Sequence, residues 1–383
     1  MASAASDSRH LSHSSSQSCY SVQLHAVTAS CTVKRSVSTT VFRCQPPGSL
    51  RLTRGLAKAT KPSRLIRKAN AAMSNTTTAR GRTNGIPIGY DRRATILHCV
   101  PNATSTSWSL TALTATVDQI VGVAGAAQLY LLLRSPDSWM RWLLAIAGVL
   151  TCTRALRGLE CLVHEGSHHN WSRRTGFNDR LCNLLAAFPV FTRVQPYREK
   201  HIVHHREFAS PDDPDRKRYD SLSIELMDVR HRLGHQILQK SFHSTVSWFQ
   251  AAGSDWRTAS CSVGLHSCIV SAGCGLFGVR AAIGTWLCWI AIFVGPLSIV
   301  RFLGEAEEHD YLNTTTEFEA TISNVGLIDR LLIHPHGDGY HLAHHLWQRV
   351  PHHRLRSFDR TACQIDPTGF GAAKRQRRFR RPI

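Results

Sequence analysis

Gly337-Asp338-Gly339-Tyr340-His341-Leu342-Ala343-His344-His345 carries imidazoles at i, i+3 and i+4, a spacing that turns all three toward one side of an α-helix. Two comparable clusters lie upstream, His164-Glu165-Gly166-Ser167-His168-His169 and His201-Ile202-Val203-His204-His205. The chain has 22 histidines in 383 residues, too few for three such patterns at ordered intervals to arise by chance. Histidines buried merely as satisfied core residues would carry no such periodicity.

The clusters sit among long apolar runs. A bilayer core needs about 20 helical residues to cross it. Four stretches meet that length: Trp108 to Leu133, interrupted by Asp118 and Gln119; Trp142 to Val163, whose last turns carry Arg154, Arg157 and Glu160; Val263 to Ile283; and Trp286 to Leu303. The connection from Arg134 to Trp139 is short, as is the one between the third and fourth stretches. The expected fold is therefore all-α, a membrane-embedded bundle of about four transmembrane helices in two hairpins, with a helical cap holding the histidines. A soluble protein with buried helices is the alternative, and Asp118 is the residue that favours it. Lys and Arg are dense in the segments that carry the histidines, whereas the short turns hold Arg134, Arg141 and Arg280. That bias puts the cap on the cytoplasmic side. Leu181 to Val194, containing Pro189, is too short to cross and is expected to lie along the interface or dip into it.

Residues 1–106 read as a basic, Ser- and Arg-rich leader without apolar periodicity, with hardly an acidic group between Asp7 and Asp91. Its first 72 residues have the composition of an organelle transit peptide, and Met73 offers an alternative start. The folded domain is expected over 107–360 and a basic tail over 361–383. The formal net charge of +20 draws partly on that tail, Lys374-Arg375-Gln376-Arg377-Arg378-Phe379-Arg380-Arg381. No nucleic-acid-reading module accompanies it, and nucleic acid is not an expected partner. The twelve cysteines include no Cys-x-x-Cys pair, and several lie inside apolar runs, as small buried residues do.

Neutral imidazole binds iron, zinc, copper or nickel, so ligand type alone does not name the metal. Number says more. His164, His168, His201, His204, His205, His341, His344 and His345 are too many for one ion and suit two, whereas zinc sites stop at three or four ligands. A nitrogen-rich pair of metals in a membrane protein points to iron and dioxygen. The far ring nitrogens need partners to fix them, and Glu160 and Asp338 are the candidates, each being otherwise a helix-cap or surface carboxylate.

The boxes His-x₃-His-His, His-x₂-His-His and His-x₂-His-His, with two apolar hairpins around them, resemble the membrane fatty acid desaturases, which share the pattern with related hydroxylases and ketolases. Tyr197-Arg198-Glu199-Lys200-His201, Pro211-Asp212-Asp213-Pro214-Asp215 and Val350-Pro351-His352-His353-Arg354-Leu355 extend the likeness, which covers Trp108 to Leu355. The resemblance makes His164, His168, His201, His204, His205, His341, His344 and His345 ligands of two ferrous ions. It adds His309, in Glu305-Ala306-Glu307-Glu308-His309, as a ninth, and places His169 among the ligands or the groups around them. His334, His336, His352 and His353 are taken as neighbours of the site. The resemblance further implies an acyl lipid or acyl thioester substrate, dioxygen as co-substrate and hydrogen removal from adjacent methylenes. His334-Pro335-His336-Gly337 is not the haem-binding His-Pro-Gly-Gly, and no iron–sulfur pattern occurs, so a separate ferredoxin or cytochrome-b-type donor is implied. A hydroxylase of the same pattern and a non-catalytic metal carrier are the other readings.

Overall fold

The computed structural model describes residues 86, 88–227, 233–312, 314–373 and 375. Helix α1 is Arg93–Cys99, α2 Trp108–Leu133 and α3 Trp139–Ser167. Helix α4 (Thr175–Cys182) runs into a π-turn, Asn183–Ala187, and a 3₁₀ turn, Phe188–Val190. Then follow α5 (Val194–Arg206), α6 (Pro214–Ser221), α7 (Leu233–Ser254), α8 (Trp256–Phe277), α9 (Val279–Val294) and α10 (Pro296–Glu305). Last come α11 (Glu317–Ala320), a π-turn at Asp329–Ile333, α12 (His341–Leu346) and α13 (His352–Ile365). Among the described residues there is no strand beyond isolated bridges such as His309 with Thr321. The fold is all-α.

Four helical passages are long and apolar enough to cross a membrane: α2, α3, α8, and α9 continued through α10. Their outer faces present Leu113, Ile120, Leu131, Leu143 and Leu287, each more than half exposed, which water would penalise and lipid would not. Between α2 and α3 the backbones nearly touch. A Cβ on Gly125 would lie 2.7 Å from the carbonyl oxygen of Gly148, so only glycine permits that crossing.

The first passage has the expected bounds, and the second gains residues at both ends, its start capped by Ser138, whose hydroxyl accepts from the Arg141 amide at 3.2 Å. The third and fourth differ from expectation. Their turn is at Gly278, which has φ of 84°, and not beyond Ile283. Hydropathy is continuous across Gly278 and could not mark the break. Asp255 starts α8 by accepting from Thr258 Oγ1 at 2.6 Å and from the Arg257 amide at 3.2 Å. Gly295-Pro296 then kinks the fourth passage, because proline cannot donate to the turn before it.

Leu181 to Val194 dips into the protein, with Cys182, Ala186, Ala187, Val190 and Val194 buried against α3 and α9. Helix α7 follows, beyond the segment that carries the second histidine cluster. That helix turns Leu238, Phe242, Val246 and Phe249 outward while burying Ser241 and Thr245, an inverted pattern that suits lipid on its outer side.

The folded part also extends past both expected boundaries. Ile88, Ile96, Cys99 and Ala103, inside the expected leader, pack with Trp347, Leu355, Phe358 and Phe370. Four apolar residues dispersed through a polar stretch have no period of their own; α13 supplies the surface that buries them. At the other end α13 continues to Ile365, and Arg375 donates to Asp359 Oδ1 at 2.6 Å. Residues 1–85, including Met73, and 376–383 lie outside the described residues.

Replacing Gly125 by valine is expected to lower stability by about 1–3 kcal/mol or more through overpacking of the α2–α3 crossing. Gly264→Ala, at a position with open space beside it, should leave the melting temperature nearly unchanged. Thermal unfolding of the detergent-solubilised protein, followed by fluorescence, measures both.

Candidate metal centre

Each histidine box hangs from a different element. His164 ends α3, and His168 follows as the residue that terminates it. His201, His204 and His205 occupy α5, and His341, His344 and His345 occupy α12. His309 follows α10 and is held by a bridge to Thr321. All nine are buried, none more than 9% exposed.

Their Nε2 atoms converge in two adjoining groups. In the first, His164 Nε2 lies 2.9 Å from those of both His201 and His344, His201 Nε2 lies 2.8 Å from His168 Nε2, and His205 Nε2 lies 3.0 Å from His201 and 3.2 Å from His344. In the second, His204 Nε2 is 3.3 Å from His345 Nε2, and His341 Nε2 is 3.1 Å from His309 Nε2. His204, His309 and His345 could share one ion, and His309 and His341 form a further group with Glu308.

The far nitrogens explain why these contacts call for a cation. His164 Nδ1 meets Asp338 Oδ1 at 2.9 Å, His204 Nδ1 meets Asp213 Oδ1 at 2.9 Å, and His345 Nδ1 meets Glu317 Oε1 at 2.9 Å. A carboxylate on Nδ1 keeps the ring proton there and leaves a bare lone pair on Nε2. Lone pairs about 3 Å apart repel unless a cation sits among them. Nitrogens bound at about 2.1 Å and at right angles to one another would be about 3 Å apart, the spacing found. A ring–ring hydrogen bond contributes only about 1 kcal/mol net, whereas a structural metal contributes about 10 kcal/mol or more. The donor set therefore fits two metal ions.

Burial and the mutual proximity of the rings hold His168, His201, His205, His309, His344 and His345 well below the usual imidazole range, so they are neutral and ready to ligate. His204 differs. Burial alone would push it down, but the charge of Asp215 and the hydrogen bond and charge of Asp213 outweigh that and raise it to about 9. Burial pushes Glu317 up to about 7, against the opposing pull of His204.

The sequence pattern of the fatty acid desaturases matches residues 138–369, more than half of the chain. The chain belongs to the fatty acid desaturase family. Dihydrorhizobitoxine desaturase from Bradyrhizobium elkanii is similar to it, 26% identical over 249 residues that cover 60% of this chain and 70% of the relative. Membership makes the protein a desaturase-type oxidoreductase of membranes, and the family is in general iron-dependent.

The nine histidines that the sequence and the family resemblance assign to this desaturase are brought together. His169 is not among them. It has φ of 56°, stands in neither group, and its Nδ1 is buried without a hydrogen-bond partner. Glu160 also departs from expectation. Its Oε1 accepts from Arg301 Nε at 2.9 Å and its Oε2 lies 3.4 Å from Arg157 Nη1, so it faces guanidinium groups and no imidazole. Asp338 is a partner as expected.

Sequence reasoning missed Asp213, Glu317 and Glu308. Asp213 stands in Pro211-Asp212-Asp213-Pro214-Asp215, where it looks like one loop acid among three. It caps α6 through the Asp215 amide, accepts from the Ala209 amide at 2.7 Å and is fully buried. Proline after aspartate, at the start of a helix, was the available signal. Glu317 had none, since nothing in Thr316-Glu317-Phe318 sets it apart from a surface residue. Of the neighbouring histidines, His334 Nδ1 meets Asp338 Oδ2 at 3.2 Å, His336 Nε2 meets Asp118 Oδ2 at 2.5 Å, and His352 Nε2 meets Thr111 Oγ1 at 3.2 Å. Asp118, awkward in lipid by sequence, is thereby buried and paired, with Arg154 on its other oxygen.

Asp213→Asn and Glu317→Gln should each weaken one of the two bound ions by about 10–100-fold in chelator competition, with the other unaffected. Because His204 holds a proton up to pH about 9, an ion entering its group must displace that proton. Affinity there should rise about tenfold per pH unit between pH 7 and 9 and level off above, as isothermal titration in buffers of different ionisation enthalpy would show.

Proposed function

We propose that the chain is an integral-membrane, diiron, oxygen-dependent desaturase that introduces a double bond into an acyl chain carried by a lipid or thioester. The observation that carries this reading is the convergence of nine buried imidazoles, five in one group and His204, His309, His341 and His345 beside it in overlapping sets, with carboxylates on three of the outward nitrogens. When bound, a ferrous pair supplies the oxidation, in which dioxygen, two electrons and two protons become two waters as two hydrogens leave adjacent methylenes.

The protein's own part is position and exclusion. His164, His168, His201, His205 and His344 would hold one ion; His204, His309, His341 and His345 the other, with the Glu308 carboxylate at hand. Asp338, Asp213 and Glu317 hold the Nδ1 protons of His164, His204 and His345, so those rings neither flip nor change tautomer while charge at the metals changes. Burial of the ligands keeps bulk water from a strongly oxidising centre. Adjacent methylenes are chemically alike, so the position of attack is set by distance along the chain from an anchored head group. Electrons come from a separate one-electron carrier, a ferredoxin or a cytochrome-b-type protein. The lysine and arginine bias supports a cytoplasmic position for the site.

The name of the matched relative supports a second reading, desaturation of a substrate other than a fatty acid. One experiment separates them. The full chain and His344→Ala are expressed in a host with simple fatty acids, and lipids and small metabolites are profiled by mass spectrometry. The first reading expects a new unsaturated acyl species that falls to background in the variant. A hydroxylated acyl product would contradict it in favour of the related hydroxylases, and an unchanged acyl profile with a desaturated small metabolite would favour the second reading.

A further inference from the structure

We propose that Arg157 is the positioning residue for the five-histidine group, fixing His164 through Asp338. The inference rests on the metal-pair reading above. Arg157 lies two turns before His164 on α3 and is nearly fully buried, at 6% exposure. Its guanidinium spans three acceptors: Nε donates to the Ile333 carbonyl at 3.0 Å, Nη2 to Asp338 Oδ2 at 3.2 Å and Nη1 to Glu160 Oε2 at 3.4 Å. The other oxygen of Asp338 faces His164 Nδ1. Arg301, stacked 4.2 Å from the Trp248 ring, closes the chain on the far oxygen of Glu160. A row of alternating charges thus runs from the wall of the bundle to a metal ligand.

Asp338 Oδ2 also meets His334 Nδ1 at 3.2 Å, but of the two partners it is Arg157 that reaches the Ile333 carbonyl and Glu160 as well, and so ties the carboxylate to α3, the helix that carries His164. The Asp213 carboxylate on His204 is held differently, by the Ala209 and Asp215 amides at 2.7 and 2.8 Å. Arg157 therefore serves one group and not the other. The turn that carries Asp338 is also pinned by His336 on Asp118, in a space that exists because Gly158 has no side chain. A Cβ there would lie 2.8 Å from His336 Nε2.

The test uses the full chain in lipid nanodiscs, with ferrous ion affinity and stoichiometry measured by chelator competition. In Arg157→Gln the affinity of one ion should fall about 10–100-fold while the other stays within about twofold. Arg157→Lys keeps the buried charge, and so the fold, but a point charge cannot span three acceptors. It should show the same one-sided loss, smaller but still about 3–10-fold. Native affinity for both ions in the lysine variant, or an equal loss of both, overturns the proposal, whether or not the glutamine variant folds. If the unsubstituted protein binds no metal, the metal-pair reading fails with it; if it binds two and the variants match it, this inference alone fails.

Discussion

Nine buried imidazoles crowd their Nε2 atoms to within about 3 Å of one another, and that arrangement is unfavourable until cations enter it. The surrounding structure accounts for how it is held. Three carboxylates orient three of the rings, His164, His204 and His345, and two of them are in turn secured, Asp213 by amides and a tyrosine hydroxyl and Asp338 by arginine. A buried charge left without such support would cost more than the hydrogen bond it makes. The layers around the histidines are thus required by the histidines.

The membrane passages serve the same end. Helix α3 carries the first box at its last turn, so the depth of its crossing sets the height of the metal groups, and the Gly125–Gly148 approach fixes that helix against α2. Asp118 on α2 then reaches the turn before α12 through His336, tying the third box to the first hairpin. The fourth passage is kinked at Pro296, and the α10 segment beyond it presents Arg301 to Glu160 and leads to His309. Charged residues inside otherwise apolar helices look like faults when hydropathy is summed; here they are the connections between bundle and site.

The clustered histidines were legible because a metal site would impose helical spacing on a scarce residue type, and core packing alone does not repeat histidine at i, i+3 and i+4. His309 needed the family resemblance, since a lone histidine after an acidic run has no period. Carboxylate partners were less legible. Asp338 is close in sequence to the third box, but Asp213 and Glu317 act across folds of the chain, and proximity misassigned Glu160, which is one turn from His164 yet points to arginines. His169 shows the limit of reading a box as a unit: the helix ends at His168, and the next residue leaves in a left-handed conformation. Helix ends in the second hairpin and the packing of residues 88–103 depended on a glycine torsion and on a distant helix, neither of which composition records.

Two adjoining nitrogen-rich groups, proposed to hold a pair of metal ions, are the centre on which the rest of the account bears. X-ray absorption at the iron edge, on protein purified with iron, addresses them directly. Such a pair predicts a first shell dominated by imidazole nitrogen at about 2.1 Å, with the multiple-scattering pattern of several histidines per metal. A shell dominated by sulfur, or one with a single histidine per iron, would contradict it.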